Sequence, residues 1–98
     1  MNKVTLFLMT EKGFEVLKAI VAEQKQLLIS KVIGSRDKSV QEDYYSAIQQ
    51  MCKDNQIPFF DRTEKTAIES RYAIAISWRW LIRGKVELIV LHDSILPK

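Results

Sequence analysis

Histidine and cysteine each occur once in this 98-residue chain, as His92 and Cys52. A single cysteine forms no internal disulfide, and one residue of each kind supplies too few ligands for a protein-held metal. Glycine is also scarce. The loop Met9-Thr10-Glu11-Lys12-Gly13, which follows the first apolar run, holds one glycine where a dinucleotide fingerprint needs three, and an acid sits in the same loop. Long apolar runs are missing too. The first covers only Val4 to Met9, too short for a membrane span or for the apolar region of a signal peptide, so a cytoplasmic protein is expected. No strong charge of one sign is present. The formal net charge is +3, with Lys and Arg scattered among Glu and Asp. That pattern argues against a dedicated nucleic-acid surface and leaves an anionic ligand open. No internal repeat, low-complexity tract or linker divides the chain, so one small domain is expected.

What is present suffices for a core, with 47% of residues apolar. Val4 to Met9 reads as a strand buried on both faces, interrupted only by Thr5. Thr10-Glu11 suits a helix start, a hydroxyl cap followed by an acid at the positive end of the dipole. Phe14, Leu17, Ile20 and Val21 recur at helical spacing, which predicts a helix from Lys12 to about Gln24. Leu27 to Ile33 is a second strand, ended by Gly34. Ser39-Val40-Gln41-Glu42 fits a capping box. A second helix follows, with Tyr45, Ile48 and Cys52 as its apolar stripe, flanked by Tyr44 and Met51 and ending near Asn55. Cys52 is thereby a small core or boundary residue. Ile57 to Phe60 is a short strand whose proline suits a sheet edge. Asp61 to Ser70 suits a short helix. Tyr72 to Ser77 and Val86 to Leu91 are the fourth and fifth strands. Strands alternating with helices predict a parallel, Rossmann-like α/β sheet. An α+β sandwich of mixed strand direction is the alternative.

Two segments stand out for chemistry. His92 follows an apolar strand, at the strand end where open α/β sheets bind ligands, and its imidazole titrates near neutrality. The competing reading is a strand-end histidine bonded to a backbone group. Ser94 lacks an evident third group for a hydrolytic triad, so a turn-tying role suits it better. Ser77-Trp78-Arg79-Trp80-Leu81-Ile82 closes the fourth strand. Its two tryptophans around an arginine read equally as a stacking platform for a flat heterocycle or as core packing with an extended Arg. Gly34-Ser35-Arg36-Asp37 and Lys12 carry weaker signals, explained as well by a charged turn and a solvated lysine.

The motif His92-Asp93-Ser94-Ile95-Leu96-Pro97, together with the Ser77–Ile82 turn, resembles the N-terminal catalytic domain of the 10-formyltetrahydrofolate-dependent formyltransferases. These act on methionyl-tRNA, glycinamide ribonucleotide or amino sugars. The resemblance implies a five-stranded sheet in the order 3-2-1-4-5, with both long helices on one face. It implies a formyl group passed from 10-formyltetrahydrofolate to an amine acceptor (an amino sugar, an aminoacyl-tRNA or a small amine). It makes His92 the catalytic residue and places Trp78, Arg79, Trp80, Leu81 and Ile82 along the pterin pocket. Ser94, Leu96 and Pro97 form the turn beside the site. No metal and no membrane are implied.

The chain departs from the family at Val90, where the family has an oxyanion-binding Asn. A backbone amide substitutes there, or the activity is altered or lost. The family's later Asp and its aromatic-Arg-Gly are not in this sequence. The 98 residues are therefore expected to be the N-terminal portion of a formyltransferase-like domain, truncated after the His92–Pro97 motif and inactive alone. The same shortfall is expected to leave one sheet face uncovered, through which copies of the chain would associate. The alternative is a non-catalytic α/β binding or regulatory remnant of the same fold.

Overall fold

The computed structural model describes residues 3–36, 43–64, 70 and 72–78, and the backbone of Glu87–Leu91. The elements run β1 (Val4–Leu8), α1 (Thr10–Ala22), a single 3-10 turn (Gln26–Leu28), β2 (Ile29–Gly34), α2 (Tyr45–Asp54), β3 (Phe59–Asp61), β4 (Tyr72–Ile76) and β5 (Glu87–Leu91). The fold is α/β with a parallel sheet. β1 lies between β2 and β4, and β3 adds beyond β2, so four strands stand in the order β3-β2-β1-β4. The backbone of β5 runs parallel to β4, from Tyr72 opposite Glu87 to Ile76 opposite Leu91.

Alternation along β1 divides the core in two. Leu6 and Leu8 point to one face and meet Leu17 of α1, Ile48 and Cys52 of α2, and Val32, Ile57 and Ile76. Both helices therefore pack on this face. Phe7 points to the other face with Ile33, Ala73 and Ala75, and Phe60 and Trp78 pack against them. The expectation for this second face is thin cover, from the Asp61–Ser70 segment and the Trp78–Lys85 turn alone. Phe7 and Ile33 are nonetheless only 5% and 6% exposed, so at these positions apolar surface is already withdrawn from water.

Several boundaries differ from the sequence expectation, each for a local reason. Thr10 does not cap α1. The cap position is Met9, in extended conformation and without a side-chain bond, and Thr10 is the first helical residue with φ of 63°. Leu27 is not in a strand. It sits in the 3-10 turn and is 78% exposed. α2 starts at Tyr45, three residues past Glu42, so the proposed capping box is not its cap. Tyr44 takes the cap position with φ of 60°, and the Tyr45 amide donates to Asp43 Oδ1 at 3.0 Å. Ser39–Glu42 themselves lie outside the described residues. The short helix expected over Asp61–Ser70 does not start at Asp61, which ends β3, and residues 62–64 form a turn; 65–69 lie outside the described residues.

Both helices end in the same way. The Gln24 amide donates to Val21 O and the Lys25 amide to Ile20 O. The Gln56 amide donates to Lys53 O and the Ile57 amide to Cys52 O. This paired pattern is the Schellman termination, with Gln24 and Gln56 in the left-handed position that glycine usually fills. It explains why Ile57, expected in the third strand, instead closes α2, and why β3 begins at Phe59. No described helix is long and apolar enough to cross a membrane.

Candidate functional site at the carboxyl edge of the sheet

The chain adds β2 and β3 on one side of β1 and then returns to add β4 on the other. The order therefore reverses between β1 and β4, and parallel α/β sheets bind ligands beyond the carboxyl ends of strands at that reversal. In this chain that edge is made of Met9 and Thr10 after β1, and Ser77 and Trp78 after β4.

The connection from β1 to α1 is one residue long. The Met9 amide donates to Ile76 O at 3.3 Å, which ties the end of β1 to β4. The Gly13 amide returns to Met9 O at 3.1 Å. A Cβ at Gly13 would lie 3.0 Å from Leu8 Cβ and 3.2 Å from Leu8 backbone carbons. Glycine is what lets the first turn of α1 sit against the end of the strand. The Thr10 amide donates to Asp43 O at 3.2 Å, and the Phe14 and Tyr44 rings meet at 5.5 Å. The starts of both helices are thus pinned together at this edge.

Among the described residues, five other than glycine have positive φ. Gln24 and Gln56 are accounted for by the helix ends. The other three, Thr10, Tyr44 and Ser77, lie at the carboxyl edge. Left-handed backbone in a residue with a Cβ costs on the order of 1–2 kcal/mol, and such strain concentrates at functional sites. Two side-chain polar atoms at the same edge, Thr10 Oγ1 and Trp78 Nε1, are buried and have no hydrogen-bond partner among the described residues. The Trp78 ring packs edge-on against Phe7 at 5.3 Å, which holds the indole on the second face of the sheet. A buried donor without an acceptor is costly, and in native proteins it commonly marks a place that something else completes.

A second polar group stands beyond β2 and β3. Arg36 lies over the Tyr45 ring at 4.3 Å and pairs with Asp43 at 3.7 Å. Tyr45 Oη donates to Asp61 Oδ1 at 2.8 Å. The other Asp61 oxygen accepts from both the amide and the hydroxyl of Thr63. The Thr63 bonds hold the Asp61 carboxyl below the usual carboxylate range. Burial, and then the Asp61 contact, push the Tyr45 phenol up to about 12. Tyr45 is consequently a fixed donor, not an acid or base near neutrality. Burial pushes the Cys52 thiol up to about 12 as well, which makes it a poor nucleophile. Among the described residues no cluster of His, Cys, Asp and Glu could hold a metal ion.

Of the sequence-derived site residues, the structure describes Trp78, at the end of β4. Arg79, Trp80, Leu81, Ile82, His92, Ser94, Leu96 and Pro97 lie outside the described residues. Sequence reading missed the Tyr45–Asp61 bond, whose partners are 16 residues apart and carry no shared spacing signal. It also missed the left-handed Thr10, which was assigned a capping role. Lys12 is exposed, in keeping with a solvated lysine. No family model, curated protein or solved structure matches the chain.

Proposed function

We propose that this chain is a formyltransferase-type α/β domain that holds 10-formyltetrahydrofolate at the carboxyl edge beside β4 and β5 and directs its formyl group to an amine. The observation that carries the reading is one of register. Ile76 and Leu91 are paired neighbours. In the sequence, Ser77–Ile82 directly follows β4 and His92–Pro97 directly follows β5. The strand ends that precede the two segments resembling the folate-side turn and the catalytic turn of one family are thus neighbours, which supports the reading. Trp78 adds to this support, because a pterin carries ring nitrogens and a carbonyl that can accept from its unpartnered Nε1.

In the proposed reaction the amine nitrogen adds to the formyl carbon. The tetrahedral intermediate collapses with cleavage of the bond to the folate nitrogen, and tetrahydrofolate leaves. His92 carries the proton from the attacking amine to that nitrogen. Val90 has no donor for the oxyanion, and loss of one such donor typically raises a barrier by about 2.7–4 kcal/mol. Val90 is also what favours the second reading, a domain that binds folate without turning it over.

The test follows tetrahydrofolate release with amino-sugar and aminoacyl acceptors, alongside folate binding. Turnover that His92→Ala removes supports the enzyme. Binding without turnover supports the second reading. Turnover untouched by His92→Ala removes His92 from the mechanism, and the absence of folate binding by the folded protein contradicts both.

A further inference from the structure

Among the described residues, β3 is the outer strand of the sheet, and only its edge toward β2 is paired. The Val32 amide donates to Pro58 O and the Arg62 amide to Gly34 O, each at 2.8 Å. Val32 stands opposite Phe59, and Gly34 opposite Asp61. In a parallel ladder this turns the amide and carbonyl of Phe60 toward β2, and those of Phe59 and Asp61 outward. The outward Asp61 amide donates to Glu64 Oε1 at 2.8 Å, so a side chain plugs part of the open edge. Plugs of this kind keep an edge from pairing indiscriminately.

Beside this edge lies a groove of about 510 Å³ between β3 and α2, lined by Ser46, Gln49, Gln50, Lys53, Ile57 and Phe59. A strand edge running next to a helix is the geometry that accepts an extended peptide as an added strand. Main-chain bonds supply affinity there, and alternate side chains supply specificity. Among the described residues, Lys53 is the only charged one in the lining, and no carboxylate is found there. The nearest acid in sequence, Asp54, accepts from Gln50 Nε2 at 2.8 Å. An incoming carboxylate would therefore meet the Lys53 ammonium without a competing acid in the lining, while an apolar neighbour meets Ile57 and Phe59. A second copy of this chain is a poorer fit, because a two-fold contact would set the Lys53 surface against itself.

We propose that the β3 edge and the α2 groove bind an extended, acidic segment of another protein as an added strand, with a carboxylate on Lys53. This surface is separate from the carboxyl edge between β1 and β4, and its occupancy does not depend on folate chemistry.

The experiment is amide hydrogen exchange and NMR titration of the full chain with two short, end-blocked peptides, one alternating glutamate with valine and the other lysine with valine. The glutamate peptide should slow exchange at the Phe59 amide and shift Lys53 and Phe59 signals, and the lysine peptide should not. This comparison needs no variant. Lys53→Glu, shown to be folded by circular dichroism, should bind the glutamate peptide about tenfold more weakly, the effect of roughly 1.4 kcal/mol, and should gain affinity for the lysine peptide. Glu64→Ala should bind the glutamate peptide more tightly, because the Asp61 amide is then unplugged. The proposal is overturned by equal response to both peptides, or by no response at Phe59 at millimolar peptide. Protection of Phe59 that grows with protein concentration in the absence of peptide also overturns it, by assigning the edge to a second copy.

Discussion

Replacing a helix-terminal glutamine by glycine ordinarily removes a side chain for no return, yet Gln24→Gly should stabilise this protein. Gln24 has φ of 59° and follows α1 in the Schellman turn, where its amide donates to Val21 O at 2.9 Å. A Cβ in left-handed backbone costs about 1–2 kcal/mol, and glycine abolishes that cost. Against this, glycine widens the unfolded ensemble by roughly 0.5–1 kcal/mol. The side chain is exposed and makes no described hydrogen bond, so little else changes. The net expectation is a gain of about 0.5–1 kcal/mol. Gln56→Gly should gain less, because Gln56 Nε2 donates to Asp54 O at 3.3 Å and that bond is lost. Gln24→Ala is the control. It removes the same polar group but keeps the Cβ, so it should show no comparable gain. Denaturant unfolding reads the result as a raised midpoint at unchanged slope. A lowered midpoint for Gln24→Gly, or equal gains for glycine and alanine, would show that backbone strain is not what the turn stores.

Gly13→Ala should destabilise despite alanine's advantage in helices of about 1 kcal/mol, since its Cβ would press on Leu8 at 3.0 Å; a stabilised variant in the same denaturation assay would contradict the close packing. Asp61 has its carboxyl pKa depressed by Thr63, so its contribution should be present above the unfolded value near 3.9 and lost as pH falls through the lower folded value. Asp61→Asn should accordingly flatten stability against pH on the acid side, and an unchanged acid limb would count against the Thr63 bonds. Cys52, fully buried with its thiol pushed up to about 12, should resist thiol reagents at pH 8 in the native protein and react on unfolding. Rapid native labelling would place it elsewhere.

Much of the fold was legible because burial here follows simple periods. Leu6 and Leu8 lie in an apolar run, and Leu17, Ile48 and Cys52 recur at helical spacing, and all five are in the core beneath the helices. Residues whose role depends on backbone geometry were not legible. Thr10 looks like a cap, but Met9 takes that position. Leu27 looks like strand, but the chain needs a 3-10 turn to enter β2 after the Lys25 end of α1. Ile57 is β-branched and apolar, but its amide is committed to Cys52 O. The polar edge was the hardest part. Tyr45 and Asp61 meet only because α2 and β3 are folded together, and the unpartnered states of Thr10 Oγ1 and Trp78 Nε1 are properties of packing that no spacing encodes.

If the edge beyond β4 receives a reduced folate, as proposed, the indole N–H of Trp78 reports on it directly. In a spectrum of the ¹⁵N-labelled chain titrated with a stable reduced folate, the Trp78 Nε1–H signal should move as its open valence finds an acceptor. The signal should be missing in Trp78→Phe, which should also bind folate more weakly. An unmoved Trp78 indole at saturating folate, in a protein whose other amide signals show it folded, would show that no folate is held at this edge.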